Sequence, residues 1–199
     1  SAVMAVLHAR GHQVVGVDAD PLLVAAAQED HPGPHWVVAD LSELDLPAQG
    51  VPEPFDAAVL AGNVLAFVAE GTEPLVLQRL AAHLRPDGFL VVGLGTDRGY
   101  PVERLDGDAG AAGLVLEHRF ATWDLRPWQA GADFAVSVFE IVKLLIVPKL
   151  LMTVATRVFF SRQPRLMKSI AAMAMISSPS TTSPFSSQRS TRSASPSWL

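Results

Sequence analysis

The chain has 199 residues, 49% of them hydrophobic and 18% charged, with a formal net charge of −5 and no cysteine. That length suits one domain of roughly 150–200 residues with a real core and excludes a wholly disordered or collagen-like chain. The lack of cysteine excludes a disulfide scaffold, thiol catalysis and any Cys-ligated zinc or iron–sulfur centre.

In chain order, Ser1–Arg10 has apolar residues three and four apart and predicts a helix stopped by Gly11. His12–Asp18 reads as a short buried strand ending on an acid. Asp20 and Pro21 then supply an N-cap and a first-turn proline for a helix over Leu22–Glu29. Trp36–Ala39 is the next strand, followed by Asp40. The turn-forming Val51–Pro54 leads into a strand at Phe55–Leu60. After Ala61-Gly62-Asn63, Thr72–Leu84 predicts a long amphipathic helix, broken by Arg85-Pro86-Asp87-Gly88 before a strand at Phe89–Leu94. A looser helix at about Val102–Ala112 precedes strands at Leu114–Thr122 and Asp133–Phe139. Strands separated by helices predict an α/β fold with a doubly wound, mostly parallel sheet. The last two strands predict an antiparallel hairpin at one edge.

Charge divides the chain. Residues 1–139 carry 7 Lys and Arg against 19 Asp and Glu; residues 140–199 carry 8 basic residues against Glu140 alone. The expected organisation is therefore a domain over 1–139, an apolar basic segment of undefined structure over 140–176, and a Ser/Thr/Pro-rich tail over 177–199. That tail holds 10 Ser, 3 Thr and 3 Pro and reads as disordered. The run Ile141–Phe160 is interrupted by Lys143, Lys149, Arg157 and Pro148, so no membrane span is expected. No basic-then-apolar leader opens the chain at Ser1, which reads as cytoplasmic.

In open α/β sheets ligands bind beyond the carboxyl ends of the strands, where strand order reverses. This singles out Asp18, Asp40-Leu41, Ala61-Gly62-Asn63 and Gly93–Thr96. A carboxylate at Asp18 suits the two hydroxyls of a ribose, the rival being a cap for the helix at Pro21. Asp40 suits an exocyclic amine beside a ring framed by Leu41, the rival being a cap for the turn over Leu41–Asp45. Asn63 offers a donor and an acceptor, or simply makes a turn after Gly62. Tyr100, Trp123, Asp124 and Trp128 wall a substrate pocket or serve packing; His8 and His83 read as structural. The six histidines have no metal-ligand spacing. The body's serines, Ser1, Ser42 and Ser137, lie outside any Gly-x-Ser-x-Gly elbow.

Four segments in order, VVGVDAD at Val14–Asp20, VVADLSEL at Val37–Leu44, FDAAVLAGNVLAFV at Phe55–Val68 and LAAHLRPDGFLVVGL at Leu80–Leu94, resemble class I S-adenosylmethionine-dependent methyltransferases. The resemblance spans about residues 1–139. It implies S-adenosyl-L-methionine as cofactor, with Asp18 as the ribose-binding acid and Asp40, beside Leu41, as the adenine-binding one. It implies that Gly62 and Asn63 line the cofactor's methionine part and face a small-molecule methyl acceptor. No specific nucleic acid and no catalytic base are implied.

The family's first strand and glycine-rich loop would precede Ser1. By this resemblance the chain starts inside the domain, β-strands on either side of that strand lack a partner, and activity is expected to be impaired. The change of charge and composition near residue 139 reads as a frameshifted or foreign C-terminus. Two other classes stay open: a nicotinamide-dependent oxidoreductase, which also places an acid after its second strand, and a non-catalytic binding module using the basic tail.

Overall fold

Asp20 starts a helix where the sequence predicts one. Its carboxylate accepts from the Leu22 N–H at 2.8 Å, and Pro21 occupies the first helical position, where no N–H is needed. In the computed structural model, which describes residues 2–51, 54–142 and 172–178, the chain runs as follows. Helix α1 (Ala2–Ala9) stops at Gly11, whose φ of 88° is left-handed. Strand β1 (Gln13–Asp18), helix α2 (Pro21–Asp30) and strand β2 (His35–Val38) follow. Then come β3 (Phe55–Ala61), α3 (Glu73–His83), β4 (Leu84–Gly95), α4 (Val102–Ala111), β5 (Leu114–Phe120) and β6 (Phe134–Ile141). A further strand, β7 (Ala172–Ser177), comes from the segment that the sequence leaves without a structure.

Arg85–Gly88 does not separate helix from strand as expected. Leu84 already pairs with Phe55 and Phe89 with Ala57, so the four residues between form a bulge inside β4, with Asp87 at φ 65°.

Among the described residues the sheet has seven strands in the order β2-β1-β7-β3-β4-β6-β5. The pairs β1–β2 and β3–β4 are parallel, whereas β7 is antiparallel to both neighbours and β6 to both of its own. Hence β1 to β5 all point one way, and only β6 and β7 run against them. The expected antiparallel edge hairpin is β5–β6.

Two further expectations are corrected. The gap foreseen between β1 and β3 is filled: β7 pairs with β1 from Gln13↔Ser177 to Val17↔Met173, and with β3 from Ala57↔Ile176 to Ala61↔Ala172. Unpaired backbone groups inside a sheet are costly, and β7 satisfies both edges. The expected boundary near residue 139 is also crossed, since β6 continues to Ile141 and β7 joins the same sheet. The rest of the run Ile141–Phe160 beyond Val142, and the tail beyond Ser178, lie outside the described residues.

Helices cover both faces. On one, Val76, Leu77 and Leu80 of α3 and Leu105 of α4 pack on Val15, Val17, Ala58, Leu60, Leu90, Val92, Met173 and Met175. On the other, Met4 of α1 packs with Val14 and Ala174, flanked by Val59 and Ile176. The period of two along a strand explains the division: β7 sends its methionines to one core and Ala174 and Ile176 to the other. Gly16 is required here, because a Cβ would collide with the Trp36 ring and the Met4 sulfur.

Two polar contacts tie distant segments. His83, 5% exposed, accepts from the Leu46 N–H through Nε2 at 3.0 Å, and its Nδ1 lies 2.7 Å from the Arg79 carbonyl oxygen. That pairing calls for the tautomer with its proton on Nδ1, and the histidine is structural, as expected. Asp56 accepts from both the N–H and the hydroxyl of Ser178, just past β7, and pairs with Arg85. Burial pushes the Asp56 carboxyl up, but the Ser178 donors and then Arg85 outweigh it, leaving the pKa below the usual carboxylate value.

His83→Ala orphans the buried Leu46 N–H and is expected to lower the free energy of urea unfolding by about 1–3 kcal/mol; an unchanged midpoint would contradict this role. Because the Asp56 pKa is depressed in the folded state, its stabilisation is present above the unfolded value and lost as pH falls through the folded one. The stability gap between the parent and Asp56→Asn should therefore be constant above about pH 5 and shrink below about pH 4. A gap independent of pH would show that the carboxylate charge does not matter there.

Candidate ligand-binding site

The strand registers put one row of residues across the carboxyl end of the sheet. Val38 of β2 lies opposite Asp18 of β1, and Met173 lies opposite both Val17 and Leu60. Leu60 pairs in turn with Val92. Asp18, Ala61 and Gly93 are therefore level with one another. The chain turns outward one or two residues later, at Asp40, at Gly62-Asn63 and at Gly95-Thr96. The order of strands reverses between β1, which leads to β2 on one side, and β3, which leads to β4 on the other. That switch point is where α/β sheets bind ligands, and the amino end of β7 lies in it.

Asp18 is half-buried. Its Oδ1 accepts from the Asp20 N–H at 2.9 Å, while Asp20 caps α2. The rival reading of Asp18 as the helix cap therefore does not hold, and its Oδ2 has no partner among the described residues. Asp40 is exposed and caps the 3-10 turn Leu41–Glu43. Its Oδ1 accepts from the Ser42 N–H at 2.8 Å and hydroxyl at 2.7 Å. The Ser42 hydroxyl first and its N–H second hold the Asp40 carboxyl below its usual range, against a small opposing effect of burial. The turn-capping rival is thus realised in this geometry, through one oxygen. Leu41 next to it is buried.

Gly62 and Asn63 both take left-handed backbone, at φ 74° and 66°. Asparagine tolerates this region better than most residues. Asn63 does more than turn: its N–H donates to the Gly93 carbonyl at 3.2 Å, and its Oδ1 accepts from the Gly95 N–H. The side chain thus ties the end of β3 to the end of β4, and its Nδ2 has no partner among the described residues. Gly95 admits this contact because a Cβ there would lie 3.2 Å from Asn63 Oδ1.

The aromatic residues divide. Trp123 is half-buried and lies against Gly93, where a Cβ would collide with its ring, so it stands beside the crevice. Tyr100 is 2% exposed and donates to Asp108 Oδ2 at 2.7 Å, with the Arg104 guanidinium 5.2 Å from its ring centre. Burial first, and then Asp108, push its hydroxyl pKa well above the ordinary value. Trp128 receives the Arg119 guanidinium at 5.7 Å, and Asp124 is exposed and bonded to Arg126 at 3.2 Å. Tyr100 and Trp128 therefore pack elements together. Sequence reasoning missed the role of Ser42, whose signal was present: it sits two residues beyond the acid that follows β2. It also missed β7, where Ala and Met alternate and Ile176 is the one β-branched residue of the kind that marks strands.

Among the described residues there is no cluster of His, Asp or Glu suited to a metal ion, and no helix is long and apolar enough to cross a membrane. A family model described as a methyltransferase domain matches residues 2–88. A search of curated proteins returns no match. Among solved structures, a TehB-like SAM-dependent methyltransferase from Corynebacterium glutamicum is 38% identical, with a TM-score of 0.64 over 69% of this chain and 72% of that one. The CcbJ methyltransferase of Streptomyces caelestis is 18% identical, with a TM-score of 0.62 over 70% of this chain and 84% of that one. At 18% identity the second likeness speaks for the fold. The first, together with the domain match and a doubly wound sheet whose acids stand at the ends of β1 and β2, places this chain in the family of S-adenosylmethionine-dependent methyltransferases.

Proposed function

We propose that the protein moves a methyl group from S-adenosylmethionine to a small-molecule acceptor, with the cofactor's nucleoside held over β1 and β2. The observation that carries this reading is Asp18, half-buried at the switch point with Oδ2 unpartnered because Asp20 has taken the capping task. One carboxylate oxygen facing the crevice accepts from a ribose hydroxyl, a charge-assisted bond. Asp40 has one oxygen left for an adenine amine after Ser42 has used the other, and buried Leu41 borders the ring. Gly62 brings backbone close to the methionine part, and Asn63 keeps β3 and β4 together there while its Nδ2 donates. These donors and acceptors suit a nucleoside joined to an amino acid.

When bound, the cofactor supplies a methyl on a sulfonium: the sulfur–carbon bond breaks as the acceptor's lone pair forms the new bond, leaving S-adenosylhomocysteine. The chain's own contribution is positioning, which in such in-line transfers supplies much of the rate. A small neutral or cationic acceptor suits the acidic body. Seven basic against nineteen acidic residues over 1–139 repel the phosphates of a nucleic acid.

Asp18→Ala should weaken S-adenosylhomocysteine binding by about 1.5–3 kcal/mol in isothermal titration, the scale of a hydrogen bond to a charged group. An unchanged dissociation constant would remove Asp18 from the ribose. Absence of any heat with S-adenosylhomocysteine, together with binding of a nicotinamide dinucleotide, would overturn the methyl-transfer reading for this chain.

A further inference from the structure

The central strand of the sheet is the one most distant in sequence from its neighbours. About 30 residues separate Ile141 from Ala172, and β7 touches the sheet through elements that lie before residue 62. Its hold rests on three things in the structure. Its backbone pairs on both edges, over five positions with β1 and five with β3. Its side chains alternate small and large from Ala172 to Met175, and Met173, Ala174 and Met175 are each at most 3% exposed. Asp56 then receives both donors of Ser178 at its exit. None of these requires the covalent link to β6.

The ends of β6 and β7 lie on different parts of the sheet. β6 ends beside the amino end of β4, where Glu140 pairs with Phe89, whereas β7 begins beside the carboxyl end of β3. The two points differ by about three strand spacings of ~4.8 Å and by the length of a strand. An extended chain covers ~3.3 Å per residue, so about 30 residues reach with ample slack.

We propose that the space between β1 and β3 is a strand-accepting groove, and that its occupant is the chain's own Ala172–Ser177, delivered in cis and replaceable by the same segment as a free peptide. The groove selects an antiparallel strand that turns residues such as Ala174 and Ile176 toward α1 and long flexible methionines toward α3. Its occupation holds Asp18 and Asn63 two strand spacings apart. Neither the groove nor its test depends on what the crevice binds.

The absence of native cysteine allows a clean test in the full chain. Met175 lies opposite both Val15 and Ala58, and directly opposed antiparallel positions fall within disulfide reach. Val15→Cys/Met175→Cys and Ala58→Cys/Met175→Cys should each form a disulfide within the monomer under mild oxidation, read by non-reducing electrophoresis and peptide mass. Val15→Cys/Ala58→Cys should not, because those positions are ~10 Å apart across β7. Disulfide formation by the last pair, or by neither Met175 pair, would overturn the occupancy. Disulfides found only between chains would overturn delivery in cis. Ala174→Pro removes a pairing N–H in mid-strand and should empty the groove. A labelled peptide of residues 172–178 should then bind this variant one to one and the parent at least tenfold more weakly, by fluorescence anisotropy. Equal binding to both chains, or none to the variant, would show that the groove does not accept the strand as a separate piece.

Discussion

Backbone pairing of β7 between β1 and β3 is the constraint on which the other features of the fold depend. A sheet interrupted at its centre would present two rows of unsatisfied N–H and C=O groups inside a domain, where water cannot reach them. The strand answers both rows at once. Because it is buried on both faces, its alternating side chains also complete two cores: the methionines extend the one under α3 and α4, and Ala174 the one under α1. Met suits such a place, since its unbranched side chain fills irregular space. The direction of β7 matters less than its presence, because an antiparallel strand satisfies neighbours as well as a parallel one does.

From that central pairing follows the geometry of the crevice. The register carries Asp18, Ala61 and Gly93 to one level, so the loops that leave the strands all open toward the same side. Each loop then uses its first polar residues locally. Asp20 caps a helix, Ser42 donates twice to Asp40, and Asn63 fastens β3 to β4. Among the described residues, what remains without a partner after this local use is one oxygen of Asp18, one of Asp40 and the amide nitrogen of Asn63. The local bonds fix the side-chain positions, and under the proposed function the remaining atoms would meet the ligand already oriented, which is how binding sites limit the entropy lost on association.

Much of this was legible in the residues themselves. The alternation of short apolar runs with amphipathic stretches, with Asp20-Pro21 as a start signal and Gly11 as a stop, located the helices and β1 to β6 to within a few residues. Local chemistry governs such boundaries, since caps, prolines and glycines act over three or four residues. The acids at strand ends were legible for the same reason, and so was the edge hairpin. Less legible was the competition between roles. Asp18 and Asp40 look alike as acids following strands, yet Asp18 yields its capping task to Asp20 while Asp40 keeps its own, a difference set by where each loop turns.

The amino-acid sequence alone thus determined the helices and β1 to β6, the α/β class and the acids at the carboxyl ends of the strands, because each follows from contacts between near neighbours along the chain. Tertiary structure alone decided what occupies the middle of the sheet. Ala172–Ser177 has no strong strand propensity of its own, and methionine and alanine alternate without a β-branched residue until Ile176. It is a strand because two preformed edges, more than a hundred residues earlier in the chain, offer it hydrogen bonds and two apolar faces, and such long-range pairing leaves no mark in the local pattern.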